Sequence, residues 1–296
     1  MVAWWQEEVF LMEFSVLVIA HQRGGHLQRL LDGVQRNSLI PKEIIVVYMD
    51  DPTPEPVSCD VPMKFIHIWS LPGESGLPLA RARNTAAANA TTERLVFLDV
   101  DCIPSAQAFI RLLRSSEENS ALAMAEPRYL REPILSRATP YDLALAELSV
   151  PHHARAGLPT NVPCDMHEHF WSLGFSISAC HFDRIGGFSL EYSGYGAEDT
   201  DFSFTARHLG IPVVFTQAVV FHQYHGVYKP PLNHFEAILS NASRFYARWG
   251  VWPMQGWLRQ FAHMGLVRWA SDGPTLDVLQ CPTPVEVQHA RSQDAY

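Results

Sequence analysis

Leu95-Val-Phe-Leu-Asp99-Val-Asp101-Cys-Ile-Pro104 is an apolar run that ends in two carboxylates one residue apart and then breaks at a proline. Four consecutive apolar residues call for a strand covered on both faces, and in parallel α/β sheets ligands bind outside the carboxyl ends of the strands. Asp99 and Asp101 stand where such a ligand would sit. Residues i and i+2 of an extended chain point the same way, so both carboxylates can turn toward one hard cation whose remaining positions are filled by phosphate oxygens. An isolated Asp-x-Asp also ends many strands that bind nothing, so its meaning depends on its surroundings.

Upstream, strand and helix signals alternate. Phe14 to Ala20 reads as an apolar strand, polar Gln22 to Gly25 as a loop, and Leu27, Leu30, Leu31 and Val34 recur at helical spacing. Ile44 to Tyr48 is a second buried run that stops at Asp50 and Asp51, with Pro52, Pro54 and Pro56 marking the loop beyond. Phe65 to Trp69 gives a third strand, and Ala-rich Leu79 to Ala90, carrying Arg81 and Arg83, gives a helix. Such alternation predicts a parallel sheet with crossover helices. Ser105 is placed to cap the next helix, with Phe109, Leu112 and Leu113 as its buried stripe.

Downstream the regularity fades. Pro127, Pro133, Pro140, Pro151, Pro159 and Pro163 scatter through short apolar pieces, which reads as an irregular insertion over 127–170 with a helix near 140–148. Regular structure is expected again as a strand at Phe175 to Cys180, a turn at Gly186-Gly187, a helix from Asp199 to Leu209 and a strand from Val213 to Phe221.

With 296 residues, 47% hydrophobic and 18% charged, the chain can bury a sizeable core. A formal charge of -9 argues against nucleic-acid binding, which normally shows a basic stripe. The 5 cysteines are widely spaced, form no Cys-x-x-Cys, and fit a reducing cytosol better than a disulfide framework. No stretch approaches the roughly 18–20 apolar residues of a spanning helix. Residues 1–11 lack the basic start and small-residue cleavage site of a signal peptide, and read as an extension ahead of Met12. A cytoplasmic protein is expected.

Three motifs in order carry a family resemblance: Leu79-Ala-Arg-Ala-Arg83-Asn84, then Leu98-Asp99-Val-Asp101-Cys-Ile-Pro104, then Gly194-Tyr-Gly196-Ala-Glu198-Asp199-Thr-Asp201. Over about residues 14–228 the chain resembles nucleotide-sugar glycosyltransferases of the GT-A fold, family 2 above all. Its last motif is similar to the Gly-x-Glu-Asp element of polypeptide N-acetylgalactosaminyltransferases, β-1,4-galactosyltransferases and chondroitin-type polymerases. The resemblance implies an α/β, Rossmann-like catalytic domain over 12–230, with a central, mainly parallel sheet flanked by helices. It divides into a nucleotide-binding half (12–105) and an acceptor half (106–230). A C-terminal helical extension (231–280) and a polar, disordered tail (281–296) follow.

The resemblance also implies roles. Asp50 or Asp51 would accept the N3–H of a uracil base, and Arg83, with Arg81 as alternate, would face the nucleotide, because a guanidinium fork suits phosphate. Asp101 would ligate the metal and Asp99 would reach the ribose, or the metal through water. His222, or His225 in its place, would be a further ligand, which tilts the choice toward Mn²⁺ over Mg²⁺. Asp199 would be the catalytic base of an inverting transfer and Glu198 would contact a sugar. Gly194 and Gly196 would let the backbone approach the sugar. Apart from the resemblance, acids in the first turn of a helix stabilise its positive end, which is role enough for Asp201. The implied partners are a nucleotide-sugar donor, most simply a UDP-sugar, and a carbohydrate or glycoconjugate acceptor in a glycan pathway.

Other features compete for attention. His152-His153 and His167-Glu168-His169, with Cys164, invite zinc but lack a recognised ligand spacing, and are better read as a loop lining the acceptor cleft. Trp249, Trp252, Trp257 and Trp269, interleaved with Arg244, Arg248, Arg259 and Arg268, suit either packing on the core or peripheral contact with the inner face of a membrane. A sugar-nucleotide nucleotidyltransferase would want a glycine-rich phosphate loop after the first strand, of which His21-Gln-Arg-Gly-Gly25 is a poor version. A catalytically silent carbohydrate-binding protein would have no use for both acidic motifs.

Overall fold

The computed structural model describes residues 12–74, 76–134 and 141–293. The extension read into residues 1–11, residues 135–140 of the insertion and the last three residues of the tail lie outside the described residues.

Ten strands form one sheet: β1 (Ser15–Ala20), β2 (Glu43–Met49), β3 (Met63–Ile68), β4 (Arg94–Asp99), β5 (Cys102–Pro104), β6 (Leu122–Leu130), β7 (Ser149–Pro151), β8 (Pro163–Cys164), β9 (Gly174–Ser178) and β10 (Val213–His222). Their order is β3-β2-β1-β4-β9-β6-β10-β5, with β7 added on β6 and β8 on β10. The parallel arrangement expected from the first half holds across β3, β2, β1 and β4, and again between β6 and β10. Between those blocks β9 runs antiparallel to both neighbours, so the start of β9 meets the end of β4 and Leu173 O accepts from Asp99 N at 3.0 Å.

Alternation along the strands sorts the core into two layers. Val16, Val18, Ile44, Val46, Val96 and Leu98 pack with Leu27, Leu30, Phe109 and Leu112 of the helices Gly24–Gln35 and Ala108–Asn119. Leu17, Ile19, Ile45, Val47, Leu95 and Phe97 pack against the opposite layer, with Ala82 and Ala86 of Leu79–Ala88, Phe182 of Ala179–Ile185 and Phe202 and Ala206 of Glu198–His208. Burying such side chains contributes about 1.5–3 kcal/mol each. Asp99 continues the parity of Leu95 and Phe97, so it emerges on the layer that carries Arg83 and Glu198.

Two local expectations change, and a third is met. Pro104 does not simply break the chain: Cys102–Pro104 is an edge strand antiparallel to β10, with His222 opposite Cys102, and a proline is tolerated at such an edge. Ser105 is not a side-chain cap, since the helix starts at Ala108 after Gln107 and Ser105 offers only its carbonyl, to Ala108 N at 2.9 Å. The helix in the insertion spans Tyr141–Leu148.

After β10, β11 (Val227–Tyr228) leads to helices Phe235–Trp249 and Gln255–His263 and the hairpin of β12 (Val267–Trp269) with β13 (Leu276–Val278). These have their own core around Phe235, Ile238, Trp252, Leu258 and Phe261. The described part of the tail is ordered, contrary to its polar reading. Thr283 and Glu286 form a capping box on helix Pro284–His289, and β14 (Arg291–Ser292) pairs antiparallel with β11. Among the described residues no helix is long and apolar enough to cross a membrane. Trp252 is buried and donates to Gly273 O at 2.8 Å, Trp249 donates to Asp201, Trp257 stacks on Tyr195 and Trp269 lies edge-on to Trp252. None of the four indoles is exposed, so the interfacial reading loses the aromatic patch it was built on.

Candidate active site

At the carboxyl end of β4 a buried arginine gathers three carboxylates. Arg83 donates through Nη2 to Asp99 Oδ1 at 3.1 Å and through Nη1 to Glu198 Oε1 at 3.2 Å, and the charge of Asp199 acts on it as well. Three acids share one cation, and burial adds its own penalty on negative charge. Burial, reinforced by Asp199, pushes Glu198 up to about 7, with Arg83 opposing. Burial also raises Asp199 against the pull of Arg83, and raises Asp99 in the same way. Arg81 is drawn elsewhere, to Trp69 O at 2.9 Å and Glu74 Oε2 at 2.7 Å, which separates the two arginines that the sequence left as alternatives.

One residue beyond that turn, Asp101 belongs to a different cluster. The antiparallel pairing of β5 with β10 brings it beside His222, whose Nε2 lies 3.8 Å from Asp101 Oδ1, and beside His225, whose Nε2 lies 3.3 Å from Oδ2. One ligand atom from each of the three lies within 4.8 Å of the others. Both histidines that competed for the role of metal ligand are therefore present, whereas Asp99 turns away to Arg83. A carboxylate oxygen with two imidazole nitrogens suits a divalent transition-metal ion better than calcium. Burial, against the attraction of Asp101, lowers His222 to about 4, so its ring is neutral at neutral pH, the form in which imidazole binds a metal. Burial alone would raise the Asp101 carboxyl, but the two histidines and Arg23 outweigh it and hold it well below the usual range. Arg23 pairs with the same carboxylate, at Oδ2.

The loops after β1 and β2 are tied together. Asp51 accepts from Gln22 N at 3.1 Å through Oδ2 and from Thr53 N at 3.3 Å through Oδ1, while His21 Nδ1 pairs with Met49 O at 2.7 Å. Asp50 faces the other way and accepts from Ser70 N at 2.7 Å and Ser70 Oγ at 2.5 Å, hydrogen bonds that hold its carboxyl below the usual range. Asp50 thus closes the turn toward β3, and Asp51 lines the loop that carries Arg23.

Helix Glu198–His208 starts at Ala197, which sits in the left-handed region at φ 70. Gly196, at φ +102, has a packing reason for being glycine: a Cβ there would come within 2.6 Å of Met254 Sδ, so the space is filled by the C-terminal extension. Asn241 of helix Phe235–Trp249 donates to Ser193 O at 3.0 Å and Gly196 O at 2.9 Å, hanging the loop from the extension. Asp201 does more than meet a helix end. It is buried, and accepts from Tyr192 Oη at 3.0 Å, Trp249 Nε1 at 2.7 Å and Arg248 Nη1 at 2.8 Å.

Sequence reasoning missed Arg23 as the partner of Asp101 and the Tyr192–Asp201–Arg248–Trp249 network. Only the density of Arg and Trp after 244 hinted at the second. His152 and His153 stack on each other at 4.5 Å, and His152 lies 5.5 Å from Tyr129, whose ring is 4.8 Å from that of His222. His152 thereby reaches the Asp101 cluster through Tyr129, whereas His167 is buried and paired with Ile211 O at 2.9 Å.

A family profile, "N-terminal domain of galactosyltransferase", matches residues 158–228, which include Asp199 and His222. Two curated relatives, validoxylamine A glucosyltransferases of Streptomyces hygroscopicus subsp. limoneus and of subsp. jinggangensis (strain 5008), are 24% and 23% identical over 223 residues, 67% of this chain. The chain spans about half their length, 49% and 52%. Among solved structures, S. aureus TarS superposes with a TM-score of 0.50 at 16% identity, covering 79% of this chain and 40% of that one. TarS 1–349 in complex with UDP gives 0.49 at the same identity, over 79% of this chain and 66% of that one. The fold is of the GT-A type, a large central sheet flanked by helices. The profile described as "Glycosyl transferase family 2" matches residues 15–182, more than half of the sequence, and the chain belongs to that family.

Proposed function

We propose that this chain is a metal-dependent, inverting glycosyltransferase that moves a sugar from a nucleotide sugar, best a UDP-sugar, to a hydroxyl of a glycan or glycoconjugate in the cytoplasm. The observation that carries the reading is the pairing of two unlike centres at one strand end: the Glu198–Asp199 pair beside Arg83 and Asp99, and the Asp101–His222–His225 cluster.

Asp199 is the base. A sugar hydroxyl is a poor nucleophile at neutral pH, and a carboxylate of raised pKa is suited to take its proton as the oxygen attacks. The acceptor oxygen forms its bond to the anomeric carbon from the face opposite the leaving group. The carbon–oxygen bond to the diphosphate breaks, and its electron pair leaves on the terminal phosphate oxygen, inverting the centre. Asp101, His222 and His225 would hold Mn²⁺, or Mg²⁺ in its place, and an ion bound there would supply positive charge for the departing diphosphate. Arg83 fixes Asp99 and Glu198 in place for the donor's ribose and sugar, and Asp51 offers an acceptor for the base, with Asp50 committed to Ser70.

Donor hydrolysis over a panel of nucleotide sugars tests the reading, with manganese and with chelator. Slow, manganese-dependent release of UDP from one UDP-sugar is expected. Absence of turnover with every donor and metal, or exchange of pyrophosphate into a sugar nucleotide, would overturn it in favour of a silent or nucleotidyltransferase protein.

A further inference from the structure

Asp101 is contested. Its Oδ2 accepts from Arg23 Nη1, yet a cation shared with His222 and His225 needs electron pairs of the same buried carboxylate. A guanidinium donates only, and its charge repels a divalent ion, so the two cations cannot both own this carboxylate. Arg23 is the one free to leave. Its side chain is 38% exposed, against 9% for Asp101. Its backbone is well fixed. Gln22 and Arg23 stand at φ 53 and 63 in the left-handed region, which residues other than glycine seldom adopt. Gln22 N is held by Asp51, His21 by Met49 O, and helix Gly24–Gln35 begins at the next residue. From this fixed backbone the long, partly exposed Arg23 side chain reaches Asp101 beside His222 and His225.

We propose that Arg23 is an exchangeable counter-ion that couples metal binding to nucleotide binding. Without a metal it neutralises Asp101. When a divalent cation takes the carboxylate, Arg23 would turn onto the oxygens of a bound diphosphate, to which its planar fork can donate two parallel bonds. The inference rests on the metal-dependent reading above. It gives Arg23 two effects of opposite sign: it opposes the metal alone, and it favours the nucleoside diphosphate once the metal is in place. Linkage then makes metal and diphosphate bind with positive cooperativity, each strengthening the other by the same factor.

Calorimetric titration of the full chain tests this with manganese alone and with UDP at saturating manganese. In Arg23→Gln, manganese alone should bind several-fold tighter than in wild type, and UDP with manganese about tenfold weaker, the scale of one lost charge-assisted contact. Arg23→Lys keeps the charge but not the fork, so manganese alone should stay as weak as in wild type while UDP still loses affinity. Thermal unfolding of each variant confirms that the loop is folded. Manganese affinity unchanged or weakened in Arg23→Gln, or UDP affinity unchanged, overturns the switch while leaving the metal site standing. Wild-type protein that binds no manganese overturns the metal reading itself, and the switch with it.

Discussion

Two carboxylate clusters lie one residue apart in the chain and differ in what balances them. Around Arg83, Asp99, Glu198 and Asp199 share a single guanidinium in a buried setting, and each carboxyl is raised. Around Asp101, one carboxylate meets Arg23 and two imidazoles and is held ionised. Each has a buried carboxylate, Glu198 in one and Asp101 in the other, so burial alone does not distinguish them; the ratio of acids to cations does. A surplus of carboxylates around one cation is a place to keep a proton, and a carboxylate flanked by imidazole nitrogens is a place to keep a metal. Strand geometry separates them: Asp99 follows the alternation of β4 onto the helix layer, whereas the turn into β5 hands Asp101 to β10.

The largest effect should come from removing the proton acceptor. Asp199→Asn preserves the shape and the bonds from Thr200 but cannot take a proton, so kcat should fall by about 10² to 10⁴. UDP affinity measured by calorimetry should change little, because the Asp101 cluster is untouched. A variant that transfers sugar at nearly the wild-type rate would erase the functional difference between the two clusters and move the base elsewhere.

A smaller effect is expected from pH. Glu198 is raised from an ordinary 4.5 to about 7, so between those values the folded protein binds more protons than the unfolded chain. Stability contributed by this group is then complete below about 4.5 and is lost as pH rises through about 7, on the order of 1–3 kcal/mol. Activity should run the other way, rising over the upper part of that window as the coupled Glu198–Asp199 pair gives up its proton. Denaturant unfolding of wild type and Glu198→Gln across the window checks the sign. The variant should lose the downward slope, and an unchanged slope would mean that the Arg83 cluster does not hold the proton.

Much of this contrast was readable in the sequence because it rests on local periodicity. The run Leu95 to Leu98, the Ala-rich Arg83 helix and the Glu198-Asp199 pair each sit at the end of an element whose period is plain, and the structure brings Arg83, Asp99 and Glu198 into contact. Convergence of Asp101 with both His222 and His225 depends on β5, a three-residue edge strand with a proline, too short to carry a period of its own. Arg23 was invisible for another reason: its contact spans 78 positions and uses a loop in left-handed backbone that no local rule anticipates for Gln-Arg. The tail misled because polar composition suggested disorder, while order came from a capping box and a two-residue strand pair with β11.

The smallest effect is expected at Asp201, two residues from Asp199 on the same helix yet turned to structural use. Its carboxylate receives Tyr192, Trp249 and Arg248, joining the start of helix Glu198–His208 to helix Phe235–Trp249. Because Arg248 is 43% exposed, water already screens much of its charge, and the ion pair itself contributes modestly. Asp201→Asn leaves one oxygen to accept from Tyr192 and Trp249 but sets an amide against the guanidinium, so stability should fall by about 1–2 kcal/mol, seen as a lower Tm. The distinguishing readout is the pH profile of kcat. If Asp201 only anchors the extension, the profile keeps its midpoint while Tm drops, since the acids around Arg83 keep their number and their single cation. A midpoint shifted in Asp201→Asn would mean that this carboxylate is electrically part of the Arg83 cluster, and the division between chemistry and anchoring along the helix would have to be redrawn.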